Sequence, residues 1–206
     1  MSLPLTRSAA PTVAAQVAAA VVGRERETEL LEAALAAGAD VVLEGPPGTG
    51  KSTLLRAVAA ARSTTFVLVE GNAELTPARV VGQFDPAQVF VDGPLLVAMR
   101  TGGLFYVEEL NRVPEETLNT LLAVMSEREI VVPRLGTVAA EPGFAVVAAM
   151  NPYDAVGTAR VSGAVYDRTC RIAMDYQSPE AEATIVRDRA NAPGLAGHRA
   201  WVARVV

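Results

Sequence analysis

Cysteine and histidine, the residues of disulfides and of most zinc sites, are nearly absent from this sequence. Its 206 residues include one cysteine, Cys170, and one histidine, His198. A single cysteine cannot close an internal disulfide, which fits a reducing cytoplasm. His198 has no second ligand at metal-binding spacing, so we expect it on the surface of a helix. Cys170 and the single tryptophan, Trp201, are interpreted as packing residues.

Long apolar runs and an excess of positive charge are absent as well. No run of about 18 strongly apolar residues occurs, so no membrane span is expected. The N-terminus is rich in alanine, contains Pro4 and Pro11, and lacks the basic and leucine-rich regions of a signal peptide. The formal net charge is −5. Because a broad contact with nucleic-acid phosphates needs excess lysine and arginine, this charge disfavours DNA or RNA as a partner.

Short apolar runs alternate with helical patterns along the rest of the chain. The apolar runs are nearly continuous, which is typical of strands covered on both faces. They are VVLE (41–44), TFVLVE (65–70), GLFYVEE (103–109), FAVVAAM (144–150) and RIAMDY (171–176). The helical patterns occupy 25–38, 51–62, 95–102, 114–128 and 178–190. This alternation predicts an α/β domain with a mostly parallel five-stranded sheet.

Two segments interrupt the alternation and are predicted to form hairpins. Residues 80–94 are expected to turn at positions 85–86, and residues 129–143 near positions 135–136. Pro133 cannot donate to a strand ladder, so its arm is expected at an edge. Both hairpins lie outside the core pattern and are therefore candidates for contacting another molecule.

Several helix ends carry local signals. Gly38 suits the C-terminal end of the first helix. Pro114 suits the first residue of the helix at 114–128. Ser178 suits the N-cap of the last helix, with Pro179 following it. The segment 155–166 is predicted to be mostly helical.

The sequence GPPGTGKS matches the phosphate-binding pattern G-x-x-x-x-G-K-[ST] at every position. A buried strand precedes it and a helix begins at Lys51, as such a loop requires. The loop N–H groups would cradle phosphate oxygens, Lys51 would reach the β- and γ-phosphates, and Ser52 would bind Mg²⁺. The alternative is a glycine-rich turn with a surface lysine. The predicted nucleotide-binding residues are Gly45, Pro46, Pro47, Gly48, Thr49, Gly50, Lys51, Ser52 and Thr53.

Two adjacent carboxylates, Glu108 and Glu109, end the third apolar run. In a phosphate-binding fold of this type, a carboxylate at the end of a second buried strand holds the metal from the opposite side. We assign Glu108 to the Mg²⁺ water shell and Glu109 to orienting the attacking water. An exposed strand end is the alternative. No N-K-x-D motif follows, which disfavours a small GTPase, and a metabolite kinase would not need the paired carboxylates.

With these motifs in place, the chain resembles the MoxR-like group of AAA+ ATPases from about Val21 to Ala190. VVGRERE (21–27) is similar to the family segment that packs on adenine, and LFYVEELNRVPEETLNTLLAVMSER (104–128) to its second nucleotide motif. The two hairpins are similar to its helix-2 insert and pre-sensor-1 hairpin. Gas-vesicle and rubisco-activation ATPases look similar too. The resemblance implies a P-loop αβα sandwich of three layers, with ATP and Mg²⁺ as cofactors.

The resemblance also implies roles for two further residues. Asn151, in AAMNP, stands where the family has its sensor-1 residue, and an amide there can hold water or the γ-phosphate. A turn residue before Pro152 is the alternative. Arg168, in VYDRT, stands where related proteins carry an arginine finger, although a local surface ion pair would explain it equally.

The chain departs from the family pattern at two places. The family usually has Asp where this chain has Glu108. AAA+ proteins also carry a helical lid with a sensor-2 arginine, and only about thirty residues follow Tyr176. We therefore expect an N-terminal extension (1–20), a nucleotide-binding domain (21–177) and the start of a truncated or reduced lid (178–206). The sensor-2 candidates are Arg187, Arg189 and Arg199.

These expectations combine into an ATP-hydrolysing AAA+ module. The resemblance implies a homo-oligomeric ring, a hexamer as in the family, that remodels or activates a protein client. It also implies that the client carries a von Willebrand A-type domain. The alternative function is a nucleotide-dependent binding switch with negligible turnover.

Overall fold

A five-stranded parallel sheet forms the centre of the computed structural model, which describes residues 11–153 and 163–189. The strand order is β2-β5-β8-β1-β9, and every pairing is parallel. The strands are β1 (Asp40–Glu44), β2 (Phe66–Glu70), β5 (Leu104–Glu108), β8 (Ala145–Met150) and β9 (Thr169–Ala173). The predicted α/β class and the number of strands are confirmed.

Helices cover both faces of this sheet. They are α1 (Val13–Ala20), α2 (Glu25–Ala36), α3 (Lys51–Ala61), α4 (Pro77–Val81), α5 (Pro94–Thr101), α6 (Glu115–Glu127), α7 (Gly163–Tyr166) and α8 (Pro179–Arg189). Successive strand residues point to opposite faces of the sheet, so the side chains of the apolar strands pack into two separate cores, one on each face. Val41 and Leu43 pack with α1, α2 and α3, whereas Val42 packs with α5 and α6. The result is the three-layer αβα sandwich that was expected.

The first helix shares the core of the sandwich. Val17 of α1 is fully buried in the cluster that also contains Leu54 and Leu55 of α3. Thr12 caps α1, because its hydroxyl accepts a hydrogen bond from the N–H of Ala15.

Both predicted hairpins are present. Strand β3 (Gly82–Phe84) pairs antiparallel with β4 (Phe90–Asp92), and β6 (Glu129–Val132) with β7 (Gly136–Ala139). They touch each other through Arg134, which donates to Gln88 Oε1 at 2.9 Å and lies 4.3 Å above the ring of Phe84. The two inserts therefore form one joint surface beside the sandwich.

Three local predictions need correction. Pro114 is the N-cap of α6 rather than its first helical residue, because its ψ of 146° is extended. The last strand covers Thr169–Ala173 instead of 171–176, because its partner β1 ends at Glu44, where the chain turns away. Cys170 is exposed rather than packed, since β9 lies at the sheet edge.

Other local predictions are confirmed. Gly38 follows α2 with a positive φ of 72°, and the Ser178 hydroxyl accepts from the N–H of Ala181 at 3.3 Å. The predicted helix at 155–166 is described only in its last turn, α7. His198, Trp201 and Arg199 lie outside the described residues. Within the described ranges, no helix is long and apolar enough to span a membrane.

Candidate functional site

The segment after β1 turns sharply at the carboxyl end of the sheet. Gly45 donates its N–H to the carbonyl of Met150 at 3.1 Å. A Cβ at Gly45 would lie 2.0 Å from the carbonyl oxygen of Met174, so only glycine fits there. Gly50 has a φ of 84° and caps the start of α3. The predicted loop is therefore folded tightly between a buried strand and a helix N-terminus.

Lys51 points its ammonium group into the loop. Its Nζ donates to the carbonyl oxygens of Gly45 and Pro46, each at 2.8 Å. Partial burial lowers the pKa of Lys51, while the carboxylates of Glu108 and Glu109 act in the opposite direction. An anion in the loop would offer this cation a stronger partner than two carbonyl oxygens. The arrangement suits phosphate.

Glu108 lies opposite the loop, at the end of β5. Its Oε1 accepts a hydrogen bond of 2.6 Å from the hydroxyl of Ser52. The hydroxyl of Tyr106 lies 3.2 Å from Ser52 Oγ and 3.5 Å from Glu108 Oε1. Burial raises the pKa of Tyr106, so its hydroxyl keeps its proton. Hydroxyl and carboxylate oxygens are hard ligands that suit Mg²⁺, which keeps several waters and needs few protein ligands.

Glu109 has a left-handed backbone conformation, with φ of 55° and ψ of 49°. This places it at the corner between β5 and a short 3₁₀ turn, Leu110–Arg112. Its carboxylate forms an ion pair with Arg112. The corner packs against Gly71, where a Cβ would lie 2.3 Å from the Glu109 carbonyl oxygen. Glu109 is thus fixed by its backbone, while its side chain stays half-exposed.

A cleft of about 570 Å³ joins the loop to the two glutamates. Its lining includes Pro47, Gly48, Thr49, Gly50, Lys51, Ser52, Thr53, Glu108, Glu109, Arg112 and Asn151. Gly45 and Pro46 lie behind it, at the base of the loop. The Asn151 side chain accepts a hydrogen bond from the N–H of Tyr153 at 3.1 Å, as a turn residue would, and also faces the cleft. The turn contact is therefore present, and the sensor-1 role of Asn151 stays a prediction that its position in the cleft allows.

A second cavity of about 390 Å³ continues from the first past Gly50. Its walls include Val21, Val22, Tyr176 and Ile185. Apolar walls of this kind suit a planar base. The sequence segment that was expected to pack on adenine therefore does line a cavity beside the loop.

Arg24 connects these walls to the loop. One of its terminal nitrogens, Nη2, donates to the carbonyl oxygens of Thr49, at 2.8 Å, and Asp175, at 2.6 Å. The other, Nη1, pairs with Glu27 at 2.8 Å. Only 4% of Arg24 is exposed. Its role was missed in the sequence, where Arg24 and Arg26 of VVGRERE could not be told apart.

Arg168 is a predicted site residue that lies away from both the cleft and the loop. Its Nε donates to Ser126 Oγ at 2.7 Å, and its side chain is exposed. The next residue, Thr169, pairs with Asp40 at the beginning of β1, whereas the loop follows the end of β1. Arg168 therefore lies near the end of the strands that is opposite to the end where its own loop lies.

Besides Arg24, which lines the second cavity, two residues were not singled out in the sequence: Arg112, which lines the cleft, and Tyr106, whose hydroxyl contacts the cleft residue Ser52. Arg112 is adjacent to the second motif, and its i,i+3 spacing from Glu109 was a usable signal for an ion pair. Tyr106 was treated as part of an apolar run, although a tyrosine in a buried strand needs a partner for its hydroxyl. In the described ranges no group of three or more His, Cys, Asp or Glu side chains is arranged to hold a metal. A cation here would rely on Ser52, Glu108 and ligands that are not protein.

A strand–loop–helix phosphate cradle opposed by strand-end carboxylates defines a P-loop nucleotide-binding domain. Residues 40–169 match the family model described as AAA domain (dynein-related subfamily). The match covers more than half of the chain, and the chain belongs to this AAA family. It is thus an AAA+ ATPase module.

Similar curated proteins come from staphylococci and are themselves uncharacterized. One from Staphylococcus haemolyticus is 35% identical over 147 residues, covering 66% of this chain and 56% of the relative. One from Staphylococcus aureus is 31% identical over 160 residues, covering 73% of this chain and 60% of the relative. The chain therefore spans somewhat over half the length of these relatives.

The fold is also similar to a crystal structure of a candidate ATPase from Cytophaga hutchinsonii. The TM-score is 0.76 at 24% identity, covering 88% of this chain and 55% of the other. At this identity the likeness concerns the fold alone.

Proposed function

We propose that this chain binds ATP with Mg²⁺ and hydrolyses the ATP as a module of a MoxR-like ring ATPase. The observation that carries the proposal is the position of Glu109 in the same cleft as Lys51 and Ser52. A phosphate cradle alone would support binding. A carboxylate across from it supports an attack by water on the γ-phosphate.

The loop residues would hold the phosphates. The loop and the first residues of α3 line the cleft, where their N–H groups could donate to phosphate oxygens, and Lys51 would exchange its carbonyl partners for phosphate oxygens. Gly48, Thr49, Gly50 and Thr53 line both cavities, so these residues would lie between the triphosphate and the base. Arg24 holds the loop to the base cavity through the carbonyl of Thr49.

Ser52 and Glu108 would hold the magnesium ion, directly or through its waters. When bound, the ion neutralises charge that develops on the β- and γ-phosphates. Ser52 and Glu108 are already joined at 2.6 Å, so little reorganisation is needed. Asn151 at the end of β8 would orient the γ-phosphate or the water beside it.

Glu109 would take the proton from the attacking water. Its ion pair with Arg112 neutralises the carboxylate, so this pair must loosen before Glu109 acts as a base. The pair is half-exposed, and such pairs contribute little, so a bound phosphate can displace it at low cost.

Hydrolysis is proposed to require residues from two neighbouring subunits. Arg168 lies away from its own loop, which suits delivery to the nucleotide of a neighbour in a homo-oligomeric ring, a hexamer as in the MoxR-like group. The joint hairpin surface would face a protein client, and a von Willebrand A-type domain is the client that the family resemblance implies. A cytoplasmic location fits the single cysteine.

A nucleotide-dependent binding switch is the second candidate. The Glu109–Arg112 ion pair favours it, because a carboxylate held in that pair would not activate water. The two functions share every binding residue and differ only in turnover.

Three variants separate the possibilities. ATP–Mg²⁺ at 100 times its dissociation constant should stabilise the wild type by about 2.7 kcal/mol and so raise its melting temperature. Lys51→Ala should abolish this rise. Glu109→Gln should keep that rise and lose hydrolysis in a phosphate-release assay. Glu108→Gln should instead raise the Mg²⁺ concentration needed for half-maximal activity. Equal thermal shifts in wild type and Lys51→Ala would refute nucleotide binding at this loop. Binding without measurable wild-type turnover would favour the switch.

A further inference from the structure

Tyr106 carries a polar hydroxyl in the middle of β5, between apolar neighbours. Its neighbours on β5, Phe105 and Val107, are fully buried, and so is Tyr106 itself. Its ring stacks on Phe66 with centroids 5.7 Å apart and an interplanar angle of 29°. Because the ring is held on all sides, the position of its hydroxyl is fixed by the core.

The hydroxyl lies among the oxygens of the proposed cation site. Tyr106 and Glu108 are two residues apart on one strand, so both side chains leave the same face of the sheet. The Tyr106 hydroxyl is 3.2 Å from Ser52 Oγ, and Ser52 Oγ is 2.6 Å from Glu108 Oε1. The direct distance from Tyr106 to Glu108 Oε1 is 3.5 Å, at the limit of a hydrogen bond.

The hydrogens of these groups can be counted. A serine hydroxyl has one proton and two lone pairs. The Ser52 proton is donated to Glu108. The single Tyr106 proton then has two acceptors within reach, Ser52 Oγ at 3.2 Å and Glu108 Oε1 at 3.5 Å, and we take the nearer one, a lone pair of Ser52. The second lone pair is left, and Ser52 lines the cleft.

We propose that Tyr106 is a positioning residue for the divalent cation of the nucleotide site. Its hydroxyl holds Ser52 in the rotamer that donates to Glu108 and keeps the remaining lone pair of Ser52 available to the ion. The proposal rests on the proposed function, since the cation belongs to the nucleotide complex. Tyr106 itself does not touch the ion.

The long side chain of Glu108 explains why a residue that restrains Ser52 and Glu108 would be useful. Glutamate has one more rotatable bond than aspartate, so fixing it costs more side-chain entropy. Ser52 and Tyr106 together place two hydroxyls beside Oε1 and reduce the freedom that has to be removed when a cation binds. A strand with phenylalanine at this position would leave Ser52 as the sole restraint.

The test uses the full chain with Mn²⁺ and ADP as probes. Free Mn²⁺ is measured by electron paramagnetic resonance during a titration at saturating ADP. Tyr106→Phe removes only the hydroxyl and should weaken Mn²⁺ binding about fivefold, which corresponds to one hydrogen bond. ADP affinity in EDTA should stay unchanged. Tyr106→Met, flexible and also without a hydroxyl, should show the same loss and replaces Tyr106→Phe if that variant does not fold.

Tyr166→Phe is the matched control. Its hydroxyl contacts the sulfur of Met150 at 3.9 Å, and Met150 lines the cleft whereas Tyr166 itself does not. This control should bind Mn²⁺ as the wild type does. If both Tyr106 variants bind Mn²⁺ within twofold of wild type, or if ADP affinity in EDTA falls equally, the positioning role is refuted. A wild type that binds neither ADP nor Mn²⁺ would overturn the proposed function itself.

Discussion

Replacement of Arg168 by alanine is the perturbation that tests whether hydrolysis occurs between subunits. Thr169 pairs with Asp40, four residues before Glu44 at the loop end of β1. At about 3.3 Å per residue, this separation is roughly 13 Å along the strand. An arginine side chain at position 168 therefore belongs to a different edge of the domain from its own phosphate cradle.

Because of this separation, Arg168→Ala should affect the rate of hydrolysis in a neighbouring subunit and leave ATP binding to its own loop intact. An arginine delivered in trans to the γ-phosphate contributes about 10³ to 10⁵ in turnover. Arg168→Ala should lower hydrolysis by at least about 10³, whereas ATP affinity should change less than about tenfold because Lys51 and the loop are intact. Arg168→Lys should rescue little, because an ammonium group lacks the planar fork of arginine.

The assay mixes two inactive variants. Arg168→Ala supplies an intact Glu109, and Glu109→Gln supplies an intact Arg168. In an equimolar mixture that assembles at random, about one quarter of head-to-tail interfaces pair the two intact residues. Phosphate release should therefore recover to about a quarter of the wild-type rate and should depend on protein concentration. Wild-type activity that does not change on dilution, together with no recovery on mixing, would refute the reasoning and leave Arg168 as the surface partner of Ser126.

Two further predictions concern the framework of the site. Gly71→Ala should lower the free energy of unfolding by about 1–3 kcal/mol in urea titrations, because its Cβ would lie 2.3 Å from the Glu109 carbonyl oxygen. It should also lower turnover more than ATP affinity, and unchanged stability would contradict the packing. Burial raises the pKa of Asp40 above its usual 3.8, so the folded state favours the protonated form. The quantity to measure is the difference in free energy of unfolding between wild type and Asp40→Asn. This difference should fall as the pH rises from about 4 and level off above the raised pKa of Asp40. A difference that rises with pH would refute the shift.

The sheet could be predicted from the sequence because its strands are covered on both faces. Leu43 and Val147 are completely buried, and strands of this kind give continuous apolar runs. The edge strand was harder to locate. In β9 only Ile172 is buried, so the apolar signal was weak and the predicted strand began two residues too late.

The phosphate cradle was predictable because it is contiguous in sequence. Residues from Gly45 to Thr53 belong to one loop and the first turn of one helix, so a single short motif contains all of them. Glu108 and Glu109 could be singled out as candidates because carboxylates are unusual at the end of a buried strand. The ion pair that neutralises Glu109 required the left-handed corner at that residue, which glutamate rarely adopts.

Arg24 shows what sequence reasoning cannot reach. It bonds a residue 25 positions away and another 151 positions away, and no local pattern encodes either contact. A guanidinium this deeply buried is stable only because carbonyls and Glu27 compensate its charge, and among the described residues its Nε has no partner. The same Arg24 nitrogen donates to Thr49 in the loop and to Asp175 in the segment before α8. A movement of α8 must therefore either move the loop or break one of these two hydrogen bonds. Arg24 thus couples the position of the phosphate-binding loop to the shape of the base cavity.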